Sequence, residues 1–265
     1  MDRTVSPSEA AVLGRLELER PELVTTGDLA ALLDASNIGT PPRVFASRLR
    51  AKGWLLPTTQ RGVWEFAPAE LAGPYSSGDP LLPLRAFLAK YPGAQCGLTF
   101  QAAAWVYGLA DRAPNRPEVA VADTLAARKL PGGLDVSNFT PALPLTEVRG
   151  VPVLAVESVL VQMCAKPAAV RSWASATEWL PELAAEATTA NMKIELTNRP
   201  HTVAVRTGYL LQALRLDIAE MIAESSPPTG KTWFGPRSRQ LRYDSRWQVA
   251  DTLLPFDPSS LETVP

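Results

Sequence analysis

Between Ser6 and Gly53 apolar residues return every three or four positions, the spacing that gathers them on one face of a helix. Val12, Leu13 and Leu16 form one stripe, between Ser6, whose hydroxyl suits a helix N-cap, and Pro21, which ends the helix. Pro7 fits its first turn. Leu29, Ala30, Leu32 and Leu33 form a second stripe after Thr25 or Thr26 as cap, with Asp28 where the helix dipole favours an anion. Residues 34–39, Asp-Ala-Ser-Asn-Ile-Gly, tolerate left-handed backbone angles and predict a turn. Thr40 as N-cap and Pro41 at the first helical position then predict a third helix. It buries Phe45, Ala46 and Leu49, turns Arg43, Ser47 and Arg50 the other way, and stops at Gly53.

Beyond Gly53 the period drops from 3.6 to two: 54–57 and 63–66 flank a polar turn at 58–62, the pattern of a hairpin. An isolated hairpin is marginal in water, so its apolar side is expected to pack on the three helices. Two short helices followed by a tight hairpin make residues 25–66 a winged helix-turn-helix pattern. Residues 67–83, rich in Pro, Gly and Ser, read as a linker. After it, helices are predicted over 84–90 and 99–109, and strands over 118–122, 134–140, 145–149 and 151–156, the last two split by Gly150. Helices over 157–165, 172–187, 189–198 and 201–214 follow, separated by Pro167 and Pro200, with Pro181 interrupting the second of them. From Ser225 onward the chain mixes basic and aromatic residues with little regular pattern.

The expected fold is therefore α+β. A winged helix-turn-helix domain occupies 1–70, a linker 71–83, a larger mixed α/β domain ending in helices 84–224, and a basic, aromatic tail 225–265, packed on that domain or extending from it. A chain of 265 residues has room for two domains, and 46% hydrophobic with 20% charged residues is ordinary for a globular protein. The net charge of -1 announces no polyanionic partner. Its distribution does: no acidic residue lies between Asp34 and Glu65, while Arg43, Arg48, Arg50, Lys52 and Arg61 all do.

Duplex DNA carries one charge per ~1.7 Å of axis, so a helix and a hairpin that both display arginine gain by releasing condensed counterions. Thr40, Arg43 and Ser47 sit in the half of the third helix that enters a major groove, with Arg50 further along, and Arg43 is best placed for a guanine. Arg48 and Lys52 suit flanking phosphates. Gln60 and Arg61, at the hairpin tip, are placed for a neighbouring minor groove or the backbone. A solvated basic face, or a platform that docks an acidic protein, remains the alternative reading of the same residues.

Catalytic patterns are missing from the sequence. His201 is the single histidine, with no nucleophile motif beside it. Gly230-Lys231-Thr232 matches only the end of a phosphate-binding loop, since Ser225 stands where the first glycine is required. Cys96 and Cys164 lack CxxC spacing and read as buried thiols. No metal ligand set and no cofactor are expected, and no run reaches the roughly 18 to 20 apolar residues of a membrane span, which points to a cytoplasmic protein. In the tail, Lys231, Arg237, Arg239, Arg242 and Arg246 interleave with Trp233, Phe234, Tyr243 and Trp247, a composition suited to cation–π stacking.

In order and spacing, FASRLRAKGWL and RGVWEF, then TFQAAAWVYGL, PEVAVA, VPVLAVESVLVQM and HTVAVRTGYLLQAL, the chain resembles the AbiEi family of antitoxins. These are the regulator halves of type IV toxin-antitoxin pairs associated with phage defence. The resemblance covers most of the chain. It implies an N-terminal autorepressor on promoter DNA and a C-terminal domain, from about Leu84, that counters a nucleotidyltransferase toxin. It places DNA contacts on Arg43, Ser47, Arg50 and Arg61, and implies no catalytic residue.

Overall fold

A computed structural model describes residues 4–71, 76–122 and 130–261. Over these the chain is mixed α+β, with ten α-helices and three sheets. It forms two compact units, the first running to Ala94 and taking in the short stretch ending at Leu134, the second beginning at Gln95.

In the first unit α1 spans Pro7–Glu19. The Ser6 hydroxyl accepts from the Glu9 N–H while the Ser6 N–H donates to the Glu9 carboxylate, a reciprocal cap. Strand β1 (Leu23–Thr25) comes next, and Thr25 and Asp28 cap α2 (Thr26–Ala35) in the same way. Helix α3 covers Pro42–Ala51, and strands β2 (Leu55–Pro57) and β3 (Val63–Phe66) complete an antiparallel sheet in the order β1-β3-β2. Two details depart from the sequence reading. Strand β1 is too short for alternation to show, and it exists because β3 pairs with it, Leu23 opposite Glu65. Helix α3 starts one residue late: Pro41 is its N-cap, with no side-chain hydrogen bond, so Thr40 caps nothing.

The core of this unit is formed by Val12, Leu16, Leu29, Leu33, Phe45, Leu49, Trp54 and Phe66. Helix α4 (Leu82–Lys90), which the sequence reading assigned to the second domain, packs on β1 and β3, and Arg85 pairs with Glu22 and Asp79.

The second unit holds β4 (Cys96–Leu98), α5 (Phe100–Tyr107), β5 (Glu118–Val121), β6 (Asp135–Asn138), β7 (Thr146–Val148) and β8 (Val151–Val153). The five strands form one mixed sheet, β6-β5-β4-β8-β7. Arg149 and Gly150, both at positive φ, make the two-residue turn that reverses β7 into β8. Helices α6 (Val156–Ala165), α7 (Trp173–Glu186), α8 (Thr189–Leu196) and α9 (His201–Leu211) follow, α7 running through Pro181 without a break. A helix that the sequence reading did not include, α10 (Leu216–Ser225), buries Ile218, Ala219 and Ile222.

The tail is also more regular than its composition suggests. Strands β9 (Thr232–Phe234), β10 (Arg242–Asp244) and β11 (Val249–Asp251) form a sheet in the order β10-β11-β9, with β9 and β11 parallel. Arg242 finds its acidic partner inside the tail, and Arg246 pairs with Glu220 of α10. Asp251, fully buried, accepts from Arg242 and from the Tyr209 hydroxyl of α9. Lys231 stands over the Trp233 ring at 4.6 Å and Arg246 over Trp247 at 5.5 Å, the expected cation–π stacking.

Candidate nucleic-acid interface

Helix α3 divides its residues sharply. Phe45, Ala46 and Leu49 are buried against the core, whereas Arg43, Val44, Ser47, Arg48 and Arg50 are exposed. Across a concavity from this helix lies the 58–62 turn carrying Arg61. The turn is locked at both ends. The Thr58 hydroxyl donates to the Val63 carbonyl at 2.8 Å and accepts from the Gln60 N–H at 3.1 Å. The Gly62 carbonyl accepts from the Thr26 N–H at 2.9 Å and from its hydroxyl at 3.2 Å, tying the turn to the start of α2. Gly62 has φ +84°, and a Cβ there would come within 2.9 Å of the Thr26 hydroxyl, so only glycine fits.

The arginines of this unit differ in whether the fold meets their charge. Arg20 pairs with Glu70 and Arg85 with Glu22, so their charge is met within the fold. Arg43, Arg48, Arg50 and Arg61 have no ion pair or hydrogen bond among the described residues, and the acid-free stretch from residue 35 to 64 supplies none. On α3 and the facing turn, four guanidinium forks are thereby left to whatever approaches from outside.

Lys52 does not join them. Its ammonium donates to the Glu9 carboxylate at 2.6 Å, bracing the end of α3 against the start of α1. Burial would raise the Glu9 carboxyl, but Lys52 together with the Ser6 N–H and hydroxyl outweighs it and holds that carboxyl below its usual range. A folded-state value below the unfolded one means a contribution to stability that is present above the ordinary glutamate range and fades as pH falls through the folded value. Lys52→Met is expected to remove about 2 kcal/mol of stability at neutral pH, since it strands a buried carboxylate. Thermal melts at pH 7 and pH 3.5 check this. The deficit should shrink at the lower pH, and an unchanged melting temperature at pH 7 would return Lys52 to the free cations.

Gln60 also differs from expectation. It is 7% exposed and lines the wall of the concavity, of about 290 Å³, together with Arg43, Arg50, Arg61 and Trp64, rather than standing at the tip of the turn. Thr40 is half-buried in the turn before α3. Ser47 and Arg50 also border a neighbouring groove walled by Leu55, Leu56 and Pro57. The structure brings Arg43, Arg50, Gln60 and Arg61 together, leaves Ser47 and Arg48 exposed on α3, and turns Lys52 away. Sequence reasoning missed the Thr26 latch and Trp64. The latch joins residues 36 positions apart, and only Gly62 after a polar turn hinted at it.

Among the described residues no group of three His, Cys, Asp or Glu is arranged to hold a metal, and no helix is long and apolar enough to cross a membrane. His201 Nε2 lies 2.9 Å from the Pro227 carbonyl at the surface. Burial pushes the Cys96 thiol up to about 11 and Cys164 up to about 12, which makes both unreactive. Burial likewise raises the Glu118 carboxyl to about 7, where it accepts from the Ala102 N–H at 3.0 Å. Glu195, fully buried, accepts from the Ser158 hydroxyl and the Ala142 and Leu143 N–H groups, fastening the 139–143 loop to α8.

Comparison with known proteins bears on this second unit most directly. The crystal structure of the RV2827C protein from Mycobacterium tuberculosis is similar over 96% of this chain and 94% of that one, with a TM-score of 0.76 and 26% sequence identity. No curated protein matches the sequence. The family model for the AbiEi antitoxin C-terminal domain matches residues 94–213, a span that begins at the boundary between the units and ends just after α9. Residues 94–213 thus belong to the AbiEi antitoxin family.

Proposed function

We propose that the chain is a DNA-binding autorepressor and antitoxin of a type IV toxin-antitoxin pair, in which the first unit is a winged helix-turn-helix and the second opposes a nucleotidyltransferase toxin. The observation that carries the DNA half is the row of unpaired arginines on α3 and the facing turn, beside a helix whose opposite face is fully committed to the core. The element order α1-β1-α2-α3-β2-β3, with the sheet order β1-β3-β2, supports the winged reading: α3 is the groove helix and the 58–62 turn its wing. The antitoxin half rests on the family match at 94–213. The chain acts by binding rather than by catalysis, with promoter DNA and the toxin as its partners.

Gel-shift titration of the full chain on the duplex upstream of its own gene tests the first half. Binding is expected to weaken steeply with salt, because each neutralised phosphate releases counterions. Absence of a shift at low salt would overturn the reading in favour of a platform that docks an acidic protein.

A further inference from the structure

Gln60 is polar, nearly buried and unpartnered. Its backbone is consumed by the turn, the N–H donating to the Thr58 hydroxyl and the carbonyl accepting from the Val63 N–H. Its carboxamide has no hydrogen bond among the described residues, although the residue as a whole is only 7% exposed. The amide is not sealed in the core as the Trp247 Nε1 is; it opens into the concavity that Arg43, Arg50 and Arg61 also line. A carboxamide on a mostly buried residue that lines a cavity ringed by unpaired guanidinium groups is a hydrogen-bonding group offered to a ligand there.

Size narrows the class of ligand. Arg43 and Arg50 are seven residues apart on α3, a rise of about 10.5 Å, and Arg61 faces them from the turn. One phosphate engages one or two guanidinium forks, whereas linked phosphates offer oxygens to all three at once. The carboxamide presents a donor and an acceptor side by side, the complement of the N7 acceptor and N6 donor of adenine; guanine offers two acceptors there. The wall is preorganised, since Thr58 fixes the turn from within and Thr26 fixes it from α2.

We propose that this concavity binds linked phosphates carrying an adenine base, with Arg43, Arg50 and Arg61 on phosphate oxygens and Gln60 on the base edge. The phosphates can come from a strand of the duplex, an assignment that rests on the DNA reading above, or from a free adenine nucleotide, which does not. In either case Gln60 selects the base and the arginines supply the affinity.

The test uses the full chain and the Gln60→Met, Gln60→Glu and Arg61→Ala variants, with melting temperatures to confirm folding. Arg61→Ala alters an exposed side chain with no partner in the fold and so guards against a Gln60 variant that fails to fold. Titrations with ATP, GTP and inorganic triphosphate at matched ionic strength are run beside the upstream duplex and a set of duplexes with single A·T pairs changed to G·C. Gln60→Glu and Arg61→Ala are expected to weaken the occupant at least tenfold, and Gln60→Met to abolish the preference for adenine. If ATP binds more tightly than GTP or triphosphate, the source is a free nucleotide. If the nucleotides do not bind and Gln60→Met removes discrimination at one A·T pair, the source is the strand. Folded variants that bind every ligand as the wild type does overturn the proposal, as does a wild type that binds none of them. Should the Gln60 variants keep full duplex affinity while an Arg43 and Arg50 double variant loses it, the cavity assignment falls and the DNA reading survives.

Discussion

Gly208→Ala is expected to destabilise the second unit by several kcal/mol, although alanine is the better helix former by about 1 kcal/mol. Gly208 lies within α9, and a Cβ built on it would come within 2.1 Å of the Trp247 ring, closer than any real contact. The indole cannot give way. Trp247 is fully buried, its backbone N–H donates to the Asp244 carboxylate at 2.8 Å, and it sits just before β11, which is paired on both sides. Trp247→Ala should cost about 3–5 kcal/mol for the packing removed and the cavity left behind. The two changes share one contact, so the double variant should be far more stable than the sum of the single losses predicts, because the small residue at 247 makes room for the methyl at 208. Thermal or urea unfolding of the three variants reads this coupling directly. A Gly208→Ala protein that melts higher than the wild type would show that helix propensity governs this position and that the ring is not wedged against it.

This contact also marks what the sequence could and could not disclose. The stripes on α1, α2 and α3, the Ser6 cap and the stop at Gly53 were legible because each is a local rule, in which spacing and caps act within a few residues. The 58–62 turn and the charge segregation of α3 were legible for the same reason. What escaped is non-local. Strand β1 is three residues long and owes its existence to β3, about 40 positions later. The tail looked irregular because β9 pairs in parallel with β11 across an intervening strand, and because Trp247 is ordered by a notch in a helix nearly 40 residues upstream. Within the site, composition could count Lys52 as a free cation but could not see that Glu9 holds it. It could put Gln60 at a tip but not foresee that the turn folds it inward.

Arg43→Ala with Arg50→Ala should reduce affinity for the upstream duplex roughly a hundredfold or more at moderate salt. A guanidinium fork on a base or a phosphate is worth about 1–3 kcal/mol of binding, and each tenfold change in affinity corresponds to about 1.4 kcal/mol. Both side chains are exposed and line the same concavity, and neither has a partner in the fold, so their removal should leave the melting temperature where it was. Salt dependence then separates their roles. For each phosphate no longer neutralised, the plot of log affinity against log salt flattens by about 0.9, whereas removing a hydrogen bond to a base changes sequence preference and leaves the slope alone. Arg50, two turns along α3, should flatten it by about one unit, as should Arg48; Arg43, which lines the same concavity, should do likewise, and relaxed discrimination with an unchanged slope would instead put it on a base edge. Lys52→Met provides the control: it lowers stability through Glu9 and should not alter the slope. Undiminished affinity in the folded double variant would mean that the arginine face of α3 does not meet DNA, and the first unit would then have to hold its partner by another surface.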